Sequence, residues 1–226
     1  MKITLVSPYP DLKAFGLRTL SSCLKKKGHD VQSIFLPKRF KDRYEEKDLN
    51  GLVELSKRTD LVGISLMTNF FDNAVQITQA LKNQCNIPVL WGGVHPTIRP
   101  DECLKYADMV CIGEGEESLA ELANTMDDKK SYYNIGGIWF KDKENIIRNQ
   151  ARPLIHELDS IPYQDYDFKT HYMLNKGYFE RMNADMLNRD WCGTYTTMAT
   201  RGCPFGCTYC CNDTFNRMHP KQKPIR

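Results

Sequence analysis

Three cysteines near the end of the sequence are the residues of this chain best suited to chemistry. Cys203, Cys207 and Cys210 are spaced as C-x3-C-x2-C. Thiolates are soft ligands that suit iron–sulfur clusters, zinc or copper(I), so three of them on one short loop indicate a metal site. A cubane cluster held by three cysteines leaves one iron open to a substrate or a cofactor. The spacing therefore favours an iron–sulfur cluster with an open iron.

Zinc is the alternative for this loop. A structural zinc site takes four ligands, usually from two C-x2-C pairs, and only Cys207 and Cys210 form such a pair here. Cys211 or His219 could complete the set. Disulfides are not expected, because the nine cysteines are odd in number and residues 1–8 have too short an apolar core for a signal peptide.

The residues around these cysteines resemble the cluster loop of the radical S-adenosylmethionine enzymes. The run Arg-Gly-Cys-Pro-x-x-Cys-x-aromatic-Cys follows a strand-like stretch at residues 194–200. The resemblance implies that Cys203, Cys207 and Cys210 hold a [4Fe–4S] cluster whose fourth iron chelates S-adenosylmethionine. Reductive cleavage would then yield methionine and a 5′-deoxyadenosyl radical. The match also places Tyr209 against the adenine, although simple packing explains a tyrosine there equally well.

Composition and charge bound the partners and the setting. The formal charge of +3 arises from 31 basic and 28 acidic residues, so no dedicated nucleic-acid or membrane surface is expected. No apolar run approaches the roughly 18 residues of a membrane span. The expected partners are a small-molecule substrate and an electron donor such as flavodoxin or ferredoxin. Reduced cysteines predict a cytoplasmic protein, and an exposed cluster predicts a low-oxygen setting.

Elements with alternating periodicity precede the cysteines. Near-continuous apolar runs predict five strands that are buried on both faces, at residues 3–6, 31–36, 61–65, 89–91 and 109–112. Amphipathic stripes predict helices around residues 14–24, 70–81 and 119–126. The alternation predicts an α/β fold with a five-stranded, doubly wound parallel sheet.

The loops that follow these strands contain the candidate ligand-binding residues. In such sheets a ligand sits outside the carboxyl ends of the strands, and glycines let the backbone approach it closely. The candidates are Ser7, Pro8, Ser65, Leu66, Met67, Gly92, Gly93, Val94, His95, Gly113, Glu114 and Gly115. No loop has the complete dinucleotide fingerprint or a P-loop lysine, so a dinucleotide or ATP site is not favoured. A simple tight turn explains residues 113–116 equally well.

Residues 1–130 are similar to the cobalamin-binding domain of one branch of the radical S-adenosylmethionine superfamily. The similarity lies in residues 27–31 and 62–65, the Gly-Gly-x-His-Pro-Thr loop and the Gly-Glu-Gly-Glu turn. It implies a flavodoxin-like fold and a bound cobalamin. By the match, the nucleotide tail and corrin edge would be lined by Ser65, Leu66, Met67, Gly92, Gly93 and Val94.

One departure concerns the lower ligand of cobalt. Classical cobalamin domains supply a histidine from an Asp-x-His-x-x-Gly motif, but residues 37–48 contain no histidine. A bound cobalamin would therefore lack a histidine ligand from this loop. His95 is a substitute by position, but Pro96 follows it, which favours a structural or hydrogen-bonding role.

The rest of the chain is predicted to form a connector and a second domain. Residues 131–190 are expected to hold a β-hairpin, at 136–140 and 144–148, and a linker at 152–168. Residues 171–191 predict either a helical insertion near a substrate entrance or core packing. Residues 191–226 would begin a partial (β/α) barrel, which needs roughly 150 residues, so we expect the N-terminal part of a longer enzyme.

The combined resemblance predicts a cobalamin-dependent radical S-adenosylmethionine enzyme. Methyl transfer to an unactivated carbon is one expected reaction, and ring formation is another. No catalytic residue beyond the cluster ligands is assignable. Two alternatives stay open: a non-catalytic corrinoid-binding module with a structural cysteine or zinc site, and a radical enzyme whose first domain no longer binds cobalamin.

Overall fold

The apolar runs of the chain form the centre of one mixed sheet. The computed structural model describes residues 1–192, 197–223 and 225–226, and in that part of the chain the sheet has nine strands. They are β1 (Lys2–Ser7), β2 (Asp30–Phe35), β3 (Leu61–Ser65), β4 (Val89–Gly92), β5 (Met109–Cys111), β6 (Ile138–Asp142), β7 (Asn145–Arg148), β8 (His171–Asn175) and β9 (Tyr178–Arg181). Their order across the sheet is β7-β6-β5-β4-β3-β1-β2-β8-β9.

The five central strands are parallel and confirm the predicted α/β sheet. β1 lies between β2 and β3, and β4 and β5 follow on the β3 side. This is the order of flavodoxin-like sheets, and it reverses at β1 and β3. Most residues of these strands are buried, which explains why they read as continuous apolar runs.

Helices cover both faces of these strands. In the described residues they are α1 (Phe15–Lys26), α2 (Glu46–Ser56), α3 (Phe71–Gln84), α4 (Val94–Ile98), α5 (Pro100–Cys103), α6 (Gly115–Asp127), α7 (Ala184–Trp191) and α8 (Cys211–Met218). α1 and α6 pack on one face through Leu17, Leu24 and Leu122, whereas α2 and α3 pack on the other through Leu52 and Ile77. The two apolar cores confirm the doubly wound arrangement. No helix in this described part is long and apolar enough to cross a membrane.

The sheet is wider than the five predicted strands. At one edge β6 and β7 form the predicted hairpin, and β6 pairs antiparallel with β5. At the other edge β8 runs parallel to β2, and β9 pairs antiparallel with β8. Segments that the sequence assigns to a connector therefore extend the sheet of the first domain.

The expectation of a helical insertion at residues 171–191 is wrong for the first half of that segment. β8 and β9 occupy it, joined by a turn at Lys176 and Gly177 with φ angles of 49° and 86°. Two consecutive positive φ angles are typical of the tight turns that join twisted strands.

The second half of this segment is α7. Its first turn is capped by Asn183, whose side chain accepts a hydrogen bond from the backbone of Met186 at 2.9 Å. Met182, Met186 and Leu187 are buried, so core packing, the alternative expectation, is confirmed at these residues.

A buried arginine ties the predicted linker to the sheet. Arg18 is fully buried and donates to the carbonyl oxygens of Leu12, at 2.9 Å, and Asp165, at 2.8 Å. It also donates to Nδ1 of His171 at 3.2 Å, so Nε2 of a neutral His171 holds the proton, 3.3 Å from Asp165 Oδ2. Burial lowers the pKa of Arg18 to about 10 and also lowers the pKa of His171. The linker and β8 are thereby fastened to α1.

The predicted strand at residues 194–200 lies partly outside the described residues, which omit 193–196. Residues 197–200 have no regular secondary structure, and the described part after them contains the cysteine loop and α8. The backbones of Arg201 and Arg226 exchange two hydrogen bonds of 3.0 Å. The start of a partial barrel stays a prediction.

Candidate functional site

A cavity of about 530 Å³ opens at the carboxyl edge of the central strands. Its floor consists of the ends of β1, β3, β4 and β5, represented by Leu5, Ser65, Gly92 and Cys111. Loops diverge here because the order of the strands reverses at β1 and β3. The cavity therefore lies where flavodoxin-like sheets bind their ligands.

The walls of the cavity are the first turns of two helices. α1 contributes Phe15, Gly16 and Leu20, and α6 contributes Gly115 and Leu119. A Cβ atom at Gly115 would lie 3.3 Å from Leu20 Cδ2, so α6 approaches α1 more closely than a larger residue would comfortably permit. These walls are mainly apolar.

The rim of the cavity depends on one glycine. Gly93 has a φ of 108°, and a Cβ atom there would lie 2.9 Å from the carbonyl oxygen of Leu66. The backbone of Leu66 also donates to the carbonyl of Gly92 at 2.8 Å. Both the positive φ and this close approach require glycine, so the loops after β3 and β4 are held in direct backbone contact.

The segment that leads into the cysteines borders the cavity on its open side. Met198, Thr200, Arg201 and Gly202 line it, together with Phe215 of α8. Gly202 immediately precedes Cys203. The cavity is therefore enclosed by two parts of the chain that the sequence assigns to different domains.

Ion pairs connect these two parts. Arg201 contacts Oε1 of Glu114 at 3.1 Å and Oε1 of Glu116 at 2.7 Å, and Arg226 contacts Oε1 of Glu114 at 2.9 Å. These four side chains are between 6% and 19% exposed. Burial alone would lower the pKa of Arg201, but the carboxylates of Glu116 and Glu114 outweigh it and raise the pKa overall.

The structure brings together about half of the predicted site residues. Seven of them line the cavity: Ser65, Gly92, Gly93, Val94, Gly113, Glu114 and Gly115. The other predicted cofactor-binding residues do not line it: Ser7, Pro8, Leu66, Met67, His95 and Tyr209. Ser7 and Leu66 are fully buried, whereas Met67 is 42% and Tyr209 91% exposed. As cofactor ligands, all of these residues stay predictions.

His95 lies on the far side of its loop from the cavity. Its Nδ1 is 3.1 Å from the hydroxyl of Thr68, and its ring packs edge-on against Phe71 with 5.0 Å between centroids. Its Nε2 is 3.7 Å from Glu102, and burial lowers the pKa of His95. Nδ1 is thus engaged with Thr68, whereas Nε2 is buried without a hydrogen-bond partner among the described residues, and a structural role for His95 stays a prediction.

The three motif cysteines lie on one half-buried loop. The backbone of Cys210 donates to the carbonyl of Cys207 at 3.0 Å, and the side chain of Asn216 donates to the carbonyl of Cys203 at 2.9 Å. All three thiols are free. Within residues 1–192, 197–223 and 225–226, no three Cys, His, Asp or Glu side chains converge on a point where a metal could bind. The donor set suits a cluster, but its geometry is not assembled.

Sequence reasoning missed several residues of the cavity. Phe15, Gly16 and Leu20 were not predicted, because the amphipathic pattern of a helix indicates which face is buried but not which end borders a ligand. Tyr9 does not line the cavity but contacts Ser65, which does. Its hydroxyl lies 3.3 Å from that of Ser65, and burial raises the pKa of Tyr9. A glycine in the first turn of α1 was the one available signal.

The chain is similar in sequence to several known proteins. The B12 binding domain family matches residues 1–123. An uncharacterized methyltransferase of Pyrococcus horikoshii is 27% identical over 86% of this chain and 39% of its own length. An anaerobic magnesium-protoporphyrin IX monomethyl ester cyclase of Synechocystis is 25% identical over 90% of this chain and 38% of its own length. The chain thus spans about two fifths of these relatives.

A solved structure shares the fold. The cobalamin-dependent S-adenosylmethionine radical enzyme OxsB, with aqua-cobalamin and S-adenosylmethionine bound, superimposes with a TM-score of 0.68. The sequence identity is 20%, and the superposition covers 92% of this chain and 28% of that one.

Proposed function

The chain belongs to the B12-binding-domain family, and we propose that its cavity holds the nucleotide tail and the corrin edge of a cobalamin. The observation that carries this proposal is the position of the cavity. The cavity lies where the strand order of a flavodoxin-like sheet reverses. On one side are the glycine loops, which follow β4 and β5, and on the other is the cysteine segment, residues 198–202, which leads into the three cysteines.

The residues of the cavity fit a large, flat, partly apolar ligand. Gly63, Gly93 and Gly115 keep the floor and rim free of side chains, and a Cβ atom at Gly63 would lie 3.0 Å from Leu5 Cδ2. Leu20 and Leu119 supply apolar walls. Such walls suit the aromatic base of a nucleotide tail.

No histidine is among the described residues that line this cavity. His95 lies outside this lining, where its Nδ1 contacts Thr68 and its ring packs against Phe71. We therefore infer that the chain binds the corrinoid without a histidine ligand to cobalt. When bound, cobalamin supplies a cobalt centre that can carry a methyl group.

We propose that Cys203, Cys207 and Cys210 hold a [4Fe–4S] cluster. Their thiols are the donor type that such clusters use, and Gly202, next to Cys203, lines the cavity. The cluster, when bound, supplies the electron that cleaves S-adenosylmethionine. Tyr209, 91% exposed on the same loop, is free to contact that cofactor.

We infer an enzyme that transfers a methyl group to an unactivated carbon, with ring closure as the second candidate. The support is that the relatives described above include a methyltransferase and a cyclase. The substrate is inferred only to be a small molecule.

Hydroxocobalamin binding tests the first part of the proposal. Gly16 borders the cavity, and a Cβ atom there meets no atom within 4 Å, so an alanine fits without displacing a neighbour. We expect Gly16→Trp to weaken binding at least about tenfold by filling the cavity, and Gly16→Ala to bind as the wild type does. Binding is measured by titration of the corrinoid absorption spectrum. Equal affinity in all three proteins would place the corrinoid elsewhere.

Anaerobic reconstitution tests the second part. The wild type should take up roughly four irons per chain. Cys203→Ala, Cys207→Ala and Cys210→Ala should each lose the cluster, whereas Cys192→Ala, at an exposed cysteine outside the motif, should retain it. A single zinc would contradict the cluster. Corrinoid binding without a cluster would favour a non-catalytic corrinoid-binding module, and a cluster without corrinoid would favour a radical enzyme with an empty first domain.

A further inference from the structure

Two carboxylates on one turn hold the arginine that precedes the cysteines. Glu114 and Glu116 lie between β5 and the first turn of α6. Arg201 uses Nη1 to contact Glu114 at 3.1 Å and Nη2 to contact Glu116 at 2.7 Å. Arg201 is separated from Cys203 only by Gly202. The contact therefore acts on the position where the cysteine loop begins.

Glu114 has a partner on every side. Its Oε1 accepts from Arg201 and, at 2.9 Å, from Arg226. Its Oε2 accepts from Arg226 at 3.2 Å and from the backbone of Ile155 at 2.8 Å. A carboxylate has about four acceptor sites, and all of them are used here. Glu114 is therefore committed to holding three segments together and has no acceptor site left for a substrate proton.

The turn that presents Glu114 is itself fastened to the rim of the cavity. The backbone of Gly113 donates to the hydroxyl of Thr97 at 3.1 Å. That hydroxyl donates to the carbonyl of Gly93 at 2.8 Å. A continuous set of contacts thus runs from the Gly93 rim, through the turn, to Arg201 and the start of the cysteine loop.

The ion pairs of Glu114 differ from those of its neighbour on the same turn. The side chain of Glu114 is 17% exposed, whereas Glu117 is 60% exposed and contacts Arg152 at 3.3 Å. Charge pairs shielded from water interact more strongly than exposed ones. Glu117 is therefore a matched control, because it carries the same charge in the first turn of α6 and, among the described residues, its ion pair is with Arg152 and not with Arg201 or Arg226.

We propose that Glu114 is a positioning residue that holds the cysteine loop against the cavity through Arg201, with Glu116 as a second point of contact. The proposal deepens the proposed function, since this loop is the one assigned to the cluster and this cavity the one assigned to the corrinoid. Glu114 acts on the loop through Arg201, and this role requires no contact between its carboxylate and either cofactor.

Site-resolved alkylation of the metal-free chain tests the proposal. Iodoacetamide rates at Cys203, Cys207 and Cys210 are followed by mass spectrometry. In Glu114→Gln the loop should leave the cavity more often, and the rates should rise roughly fivefold to thirtyfold. Cys192 is exposed and should not change, and the buried Cys103 and Cys111 should stay unreactive as long as the sheet is folded.

Charge and shape are separated by further variants. Glu117→Gln should leave every rate at the wild-type value. Arg201→Gln should raise the alkylation rates as much as Glu114→Gln does, whereas Arg201→Lys should keep the rates close to those of the wild type. The double variant Glu114→Gln with Arg201→Gln should react no faster than Arg201→Gln alone. Additive effects, or an equal effect of Glu117→Gln, would overturn the proposal. If Glu114→Gln makes Cys103 reactive, the sheet of that variant has opened. The decision then rests on Arg201→Gln and Arg201→Lys, which leave the turn after β5 unchanged.

The pH profile of alkylation excludes a purely electrostatic effect on the thiols. A changed thiol pKa moves the profile along the pH axis between about pH 7 and pH 10, whereas better access raises its plateau. We expect the plateau to rise. A shift along the axis with an unchanged plateau would show that Glu114 acts on the thiols by charge and would refute positioning.

Added hydroxocobalamin distinguishes this proposal from the proposed function. Hydroxocobalamin should slow alkylation of Cys203 in the wild type and in Glu117→Gln. The factor by which it slows alkylation should be at least threefold smaller in Glu114→Gln. Absence of corrinoid binding in the wild type would count against the proposed function, and the metal-free rates would then decide the role of Glu114 by themselves.

Discussion

The floor and the open side of the cavity are held in place by different forces. The floor is built from parallel strands, and its rim is set by backbone atoms, with Gly93 packed against the carbonyl of Leu66. The open side is a segment without regular structure, attached through Arg201 to Glu114 and Glu116. Backbone sterics tolerate no displacement, whereas ion pairs can separate and re-form. One side is therefore a fixed surface, and the other is a repositionable one.

Gly93→Val, which disrupts the fixed side, should lower the free energy of unfolding more than any other variant considered. Gly93→Val forces a β-branched residue into a φ of 108° and a Cβ atom to within 2.9 Å of Leu66 O. We expect the free energy of unfolding to fall by about 3 kcal/mol or more in urea denaturation. Gly16→Ala, where no neighbour lies within 4 Å, should change it by less than about 1 kcal/mol. Similar values for both variants would show that the rim is not sterically fixed.

The next effect concerns the attachment of the linker to the fixed side. Arg18→Met removes the donors to Leu12, Asp165 and His171 and leaves buried acceptors without partners. We expect a loss of about 2 to 4 kcal/mol in the free energy of unfolding. Arg58→Met, at an exposed arginine, is the control and should stay within about 0.5 kcal/mol. A small effect of Arg18→Met would mean that the linker is not fastened through this side chain.

The same buried contacts should make the free energy of unfolding depend on pH, with an effect of intermediate size. Burial lowers the pKa of His171 in the folded chain, so the unfolded chain binds a proton first as the pH falls below about 6.5. Stability from a neutral His171 is therefore present above that pH and lost below it. Burial alone would raise the pKa of Asp165, but hydrogen bonds from His171, Lys25 and Ser21 lower it overall and add a second loss below about pH 4.

His171→Gln isolates the first of these losses. Glutamine can still accept from Arg18 and donate to Asp165, but it does not titrate. Between about pH 6.5 and pH 5, the fall in the free energy of unfolding should become shallower by up to about 1.4 kcal/mol per pH unit. An unchanged slope in His171→Gln would contradict a neutral buried His171.

The smallest effect on stability is expected on the repositionable side. Arg201→Gln removes the contacts to Glu114 and Glu116 but should lower the free energy of unfolding by less than about 1 kcal/mol, because the strands do not depend on it. Thermal denaturation should therefore detect little, while the thiol rates change several-fold. A loss as large as that of Gly93→Val would erase the difference between the two sides.

Local signals explain which parts of the fold could be predicted. The five central strands were visible because burial on both faces makes each one a continuous apolar run. α2 had no such signal: it is identified by its N-terminal cap, where Asp48 accepts from the backbone of Glu45 at 3.0 Å. β8 and β9 were not predicted as strands, because their methionines and aromatic residues fit a helix or core packing as well as a strand.

The candidate site also contains features that local sequence predicts and features that it does not. Gly93 was predictable, since a Gly-Gly loop after a buried strand indicates close backbone approach. The orientation of His95 was not, because a turn places its side chain on either side of a loop, and only the packing of Phe71 and Thr68 decides which.

Periodicity and spacing are local properties of the chain, so the order of the amino acids is enough to predict the central strands, the glycine-containing loops and the cysteine motif. Tertiary structure alone decided that Arg201 meets Glu114, a residue 87 positions earlier, and that α1 and the cysteine segment share one cavity. The physical reason is that strand order, not sequence distance, sets which loops become neighbours at the edge of a sheet.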